Sequence, residues 1–260
     1  MSRPICVALV TLVCLAPAVD AGDAATVPAD AAYGGQTEQG LAAYVKLLPH
    51  RAGVTVAFTY TTSCSGSSGS ILWTGVAKAS LKGGRFHYTR KEDAKGPRIT
   101  LDGKISPSFA SGTWRVHFST RDALGTVRAV CDSGTVDWTL PRDGAGGQVG
   151  GGYPVALRLG TRSVKSIELV TQVKCKSGDA YLIPSFYANF RIAGDGSFGR
   201  KFTDDGTPVG VKTSKLTVDL HGQVRGGKVK GTWRLKVVFS SDGEQVDTCD
   251  SGPLSWAATV

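Results

Sequence analysis

Most of this chain is written twice. Gly34-Gly35-Gln36 returns as Gly146-Gly147-Gln148, Cys64 as Cys175, and Gly112-Thr113-Trp114-Arg115 as Gly231-Thr232-Trp233-Arg234. Cys131-Asp132-Ser133-Gly134 returns as Cys249-Asp250-Ser251-Gly252, and Trp138 as Trp256. The spacing between equivalents runs from 111 to 119 residues, as loops of different length between fixed elements require. A repeat of this length sets the domain count, because each copy must fold as one unit. One copy covers 34–143 and the other 144–260. The run 143–152, with its many glycines, reads as a flexible connection. Residues 22–33, rich in Ala and Asp, read as a disordered leader.

Within each copy the apolar residues alternate. Val54, Val56, Phe58, Tyr60, Thr62 and Cys64 share one parity, and Ile167, Leu169, Thr171, Val173 and Cys175 share the matching one. In an extended chain such residues line a single face. Val136, Trp138 and Leu140 repeat the pattern late in the first copy, echoed by Leu254, Trp256 and Ala258. No window sustains the 3.6-residue period of a helix, and 34 glycines supply turns at short intervals. The expectation is an all-β protein: two tandem homologous β-sandwich domains, or alternatively small β-barrels, with one disulfide in each.

The N-terminus sets the compartment. Arg3 and the apolar stretch from Ile5 to about Val19, with small residues at Ala21 and Gly22, have the form of a cleaved signal peptide over 1–21. Pro17 and Asp20 interrupt a run already shorter than the roughly 18 apolar residues of a spanning helix. The expected location is outside the cytoplasm, secreted or periplasmic, with no membrane span after cleavage. Of six cysteines, Cys6 and Cys14 leave with that segment. The remaining even set reads as disulfides in an oxidising compartment. The repeat favours Cys64 with Cys131 and Cys175 with Cys249, each tying an early strand to a late one across the core. No paired spacing of zinc-site type occurs, so neither metal nor cofactor is expected.

Gly-Thr-Trp-Arg, followed by Cys-Asp-Ser-Gly and a late Trp, resembles repeats found in uncharacterised secreted bacterial proteins. The resemblance covers the second half of each copy. It implies an extracellular β module and brings no assigned activity. An immunoglobulin comparison fails on its own marker, since Ala129 and Asp247 stand where that fold places a Tyr two residues before the second Cys.

No catalytic constellation emerges. His50, His87, His117 and His221 lack counterparts in the other copy and sit in no nucleophile motif. They read as exposed strand or turn residues, with His221 in a hairpin before Gly222. Asp195, Asp205 and Asp242, each followed by Gly, read as turn formers.

Charge gives the one functional hint. Thirty Lys and Arg outweigh 21 Asp and Glu, a net of +9. Lys228, Lys230, Arg234 and Lys236 share an even parity opposite Val229, Trp233, Leu235 and Val237, so they form an outward cationic stripe. They are the candidate polyanion-binding residues, for an anionic polysaccharide or another cell-envelope polymer. Trp233 points inward, which weighs against stacking nucleic-acid bases. The resulting reading is a secreted, non-catalytic structural or binding protein. Two alternatives are a secreted hydrolase using dispersed acidic residues and an inhibitor or toxin-like protein acting through the loop Ser65–Ser70.

Overall fold

The computed structural model describes residues 27–260 apart from 29, 67–69, 94–95, 123–124, 143, 151, 210–211 and 242. The signal-peptide segment 1–21, Asp242 and residues 67–69 of the loop Ser65–Ser70 therefore lie outside the described residues. The first half contains β1 (Ala32–Gln36), β2 (Ala42–Leu47), β3 (Gly53–Cys64), β4 (Ser70–Lys82), β5 (Arg85–Arg90), β6 (Arg98–Ile105), β7 (Phe109–Arg121) and β8 (Val127–Pro141). The second contains β9 (Gly144–Val149), β10 (Pro154–Gly160), β11 (Ser163–Cys175), β12 (Ala180–Arg191), β13 (Ser197–Val209), β14 (Lys212–Arg225), β15 (Lys228–Ser241), β16 (Glu244–Asp250) and β17 (Leu254–Thr259). No helix among the described residues is long and apolar enough to cross a membrane.

The first half is a meander in which each strand pairs with the next, curled until its last strand meets its early ones. The start of β8 pairs with β3 through Cys131 and Asp132, and its far end reaches Thr37 through Trp138. The second half closes in the same way, with its last strand broken in two: β16 pairs with β11 and β17 with β9. Each half encloses its own core, with Phe58, Trp114 and Leu140 among the residues of one and Ile167, Trp233 and Leu235 among those of the other. The fold is all-β in two homologous halves. The alternating parity seen in the sequence is the inward parity of the folded strands.

Both disulfides form as paired, Cys64–Cys131 and Cys175–Cys249. Their position differs from the expected one. Each joins residues directly opposite one another on adjacent strands, rather than spanning the core. The bond therefore clamps the line where the sheet closes on itself, because closure brings β3 beside β8 and β11 beside β16.

The repeated motif is a latch on that closure. The strand register breaks after Arg115, where β8 carries an extra residue against β7. Ser133 repairs the gap: its Oγ accepts from Val116 N–H at 2.9 Å and donates to the Gly134 carbonyl at 2.7 Å. Gly134 sits at φ +66, a conformation that favours glycine. Arg115 donates from Nε and a terminal nitrogen to Asp132, at 3.1 and 2.7 Å. The second half repeats every part with Leu235, Ser251, Gly252 (φ +66), Arg234 and Asp250. In each copy the Arg hydrogen bond holds the Asp carboxyl below its ordinary range. Gly-Thr-Trp-Arg and Cys-Asp-Ser-Gly are two sides of one joint.

Two expected boundaries shift. Residues 27–33 are not a free leader: Val27, Ala31 and Tyr33 are buried in the first core and β1 starts at Ala32. Nor is 143–152 a flexible connection, since Gly144–Val149 is β9, paired with β10 on one side and β17 on the other. His221 lies in the β14–β15 hairpin, opposite Thr232. Small side chains led both boundary readings toward loops; here smallness serves close packing.

That packing joins the halves. The outward residues Ala57, Thr59, Ser166, Glu168 and Val170 are buried although their parity faces away from either core. Ala42, Ala156 and Val170 form an apolar cluster shared by β2, β10 and β11. β1 and β9 approach so closely that a β-carbon on Gly34 would collide with the Ala145 carbonyl, and one on Gly146 would collide with the Tyr44 side chain and crowd the Tyr33 carbonyl. In the repeat Gly34 corresponds to Gly146 and Tyr33 to Ala145. The contact is therefore nearly two-fold symmetric, with equivalent residues exchanged across it.

Candidate functional site

The four stripe residues divide into two pairs. All lie on the outward face of β15, because Val229, Trp233, Leu235 and Val237 fill the inward one. Arg234 is bound to Asp250, and Lys236 Nζ lies 3.8 Å from the same carboxylate. Asp219 adds negative charge beside Arg234. This end of the stripe is neutralised by its neighbours.

Lys228 and Lys230 run the other way, to the junction of the halves. There they meet Lys46 of β2 over a groove of about 750 Å³ floored by β9 and β17. Gly147, Gln148 and Ser255 line it, and no carboxylate does so among the described residues. None of the three lysines is paired to a carboxylate among those residues. Tyr44 forms part of the wall, and burial pushes its phenol up to about 12, so it stays neutral. Three cations over a narrow, glycine-containing floor suit an extended anionic chain, which gains from each charge and can approach the backbone closely. Lys46 is far from the stripe in sequence, and only the docking of the halves brings it there.

Three histidines have carboxylate partners that the sequence did not reveal. His87 Nδ1 lies 2.7 Å from Asp102 Oδ1, His221 Nε2 lies 2.9 Å from Asp219, and His117 Nδ1 lies 3.4 Å from Glu92. Asp102 reaches His87 through the β5–β6 register, and Glu92 reaches His117 from the segment after β5, which it ties to β7 at Ser119. Thr89 Oγ1 stands 2.7 Å from the other nitrogen of His87, which completes a hydroxyl–imidazole–carboxylate row. All three side chains are solvent-facing on the β5–β6 ladder, and His87 and Asp102 line an open depression of about 640 Å³ together with Lys82, Arg85 and Lys104. Asp195 is a turn former as expected, accepting from Ser197 N–H at 2.9 Å.

Among the described residues Glu168 is the one buried carboxyl at the junction. It is 7% exposed, and its Oε2 has no hydrogen-bond partner among the described residues. Burial pushes its pKa up to about 7, against the lowering effects of a hydrogen bond from Gln36 in the other half and of the Arg158 charge.

No protein-family model matches the chain, and no curated protein is similar to it in sequence. Among solved structures, it is similar to a crystal structure from Bacteroides fragilis titled as a "putative outer membrane protein". That likeness covers 89% of this chain and 98% of the other, at 12% identity and a TM-score of 0.26, and at that score it decides neither fold nor function.

Proposed function

We propose that the protein is a non-catalytic binding module that works outside the cytoplasm and holds an anionic polysaccharide or envelope polymer in the groove between its halves. The observation that carries this reading is the convergence of Lys46, Lys228 and Lys230 on a groove without carboxylates. Two disulfides fit an oxidising compartment, and the N-terminal segment has the form of a secretion signal. The resemblance of the latch motif to repeats of secreted bacterial proteins points the same way.

The test is retention on heparin and on anionic envelope polymers across a salt gradient. The variant Lys46→Gln/Lys228→Gln/Lys230→Gln is compared with Lys174→Gln/Lys176→Gln/Lys201→Gln, which removes equal charge elsewhere. Three exposed ion pairs at about 0.5 kcal/mol each predict roughly ten-fold weaker binding for the groove variant alone. Equal weakening in both variants would reduce the groove to ordinary surface charge.

A further inference from the structure

The sheet of the first half opens between β4 and β5. β4 and β5 share only the pairs Leu81–Phe86 and Lys82–Arg85, then splay apart. Between them lies a cleft of about 530 Å³ whose lining includes Trp73, Phe118, Arg90, Glu92 and Asp93. Trp73 is 36% exposed, while its indole is fixed from behind. Its Nε1 donates to Thr62 Oγ1 at 3.2 Å, and its ring meets Phe118 edge-on at 5.0 Å between centroids.

The charged rim is also set in advance. Glu92 Oε1 accepts from Ser119 N–H at 2.7 Å, which ties the segment after β5 to β7 and lowers the pKa of the carboxyl. Arg90 lies 3.4 Å from Asp93 Oδ1 and rests against Gly96, where a β-carbon would crowd its guanidinium. The second half keeps the strands but not the cleft lining. By register, Ile183 stands in place of Trp73 and Val237 in place of Phe118. Tyr187 fills that half's interior against Trp233 and Phe202.

We infer that this cleft is a subsite for an uncharged sugar ring, with Trp73 as its stacking platform and Arg90, Glu92 and Asp93 as partners for its hydroxyls. The chemistry of the rim selects the class. Arg90 disfavours a cation and the two carboxylates disfavour an anion. A hydroxyl group can donate to a carboxylate and accept from a guanidinium, so a neutral polyol satisfies both signs at once. A pyranose adds an apolar C–H face that matches a half-open indole. Because Trp73 is fixed before binding, little ordering cost remains to be met. The inference is independent of the lysine groove.

The test uses the whole protein and insoluble uncharged glycans (cellulose, chitin and mannan) at about 0.5 M NaCl, where surface charge attraction is screened. Soluble oligomers of any retained glycan are then titrated against tryptophan fluorescence. Retention of at least one glycan is expected, with binding weakened about ten-fold or more in Trp73→Ala, as for other buried aromatic contacts. Asp93→Asn weakens binding several-fold without disturbing the core, so the idea stays testable if Trp73→Ala fails to fold. Lys46→Gln/Lys228→Gln/Lys230→Gln should bind the same glycan unchanged, which separates this site from the lysine groove. Failure of all three glycans to be retained would overturn the inference. So would equal retention by Trp73→Ala and Asp93→Asn, or a Trp73-dependent response to tetramethylammonium chloride in place of sugar.

Discussion

The two halves share a frame and differ in what fills it. Trp114 and Trp233 are equivalent, fully buried, and each needs an aromatic neighbour. In the first half that neighbour is Phe58 of β3, stacked at 4.6 Å; in the second it is Tyr187 of β12, at 5.4 Å. The same cavity is thus filled from different strands. β4 stays hydrogen-bonded to β5 at one end, whereas β12 and β13 have no pairing among the described residues. The latch at the closure is identical in both. What recurs is the device that closes the sheet, and what varies is the side of the barrel away from it.

The largest test of this comparison is to remove the central ring from each half in turn. Trp114→Ala and Trp233→Ala should each cost about 3–5 kcal/mol. If the shared seam makes the halves one cooperative unit, calorimetry will give a single lowered transition for either variant. A Trp233→Ala protein that keeps an unshifted transition for its first half would show instead that the halves unfold separately.

Glu168 provides a contrast of intermediate size, because its equivalent in the first half is Ala57. Its pKa is about 7 in the fold, above the ordinary carboxylate value near 4.5. The folded protein therefore holds this proton more tightly than the unfolded chain does. The stabilising contribution of Glu168 is full below about pH 4.5, falls as pH rises toward 7, and is lost above it. The loss is on the order of 3 kcal/mol. Glu168→Gln should flatten the melting temperature between pH 5 and pH 8 and raise it at the upper end. The acid-side fall below about pH 4 should persist, since Asp132 and Asp250 are lowered by their arginines. An unchanged slope in Glu168→Gln would assign the pH dependence to other groups.

The smallest effect concerns the shared latch. Ser133→Ala and Ser251→Ala each leave one backbone N–H without its hydroxyl acceptor, at a cost of about 1 kcal/mol. Denaturant midpoints should fall by similar amounts in the two variants. Clearly unequal shifts would mean that the closures differ despite their matching geometry.

Much of this frame was legible before folding. Strand parity placed Phe58, Trp138, Ile167 and Trp233 inside, because side chains alternate with a period of two whatever the topology. Repetition paired the cysteines. The outward residues were a different matter. Ala57, Thr59 and Val170 lie on the parity that normally meets water, and only docking of the halves buries them. Lys46 joins Lys228 and Lys230 for the same reason. His87 finds Asp102 through the register between β5 and β6, a property of two strands that neither segment carries alone. The stripe at Lys228–Lys236 was read correctly as a face and incompletely as a charge, since Asp250 arrives from a different strand.

The near-symmetry of the seam carries a consequence for how the two copies can diverge. A self-complementary patch is the kind through which separate identical subunits form a dimer, and there every substitution appears twice. Covalent linkage removes both the dependence on concentration and that doubling. A carboxylate at one position then occurs once across the seam rather than twice. Glu168 can face Gln36 while Ala57 and Gln148 occupy the mirrored places. A paired protein of identical chains would present the same surface twice. This chain is free to keep an aromatic cleft on one side and a filled interior on the other.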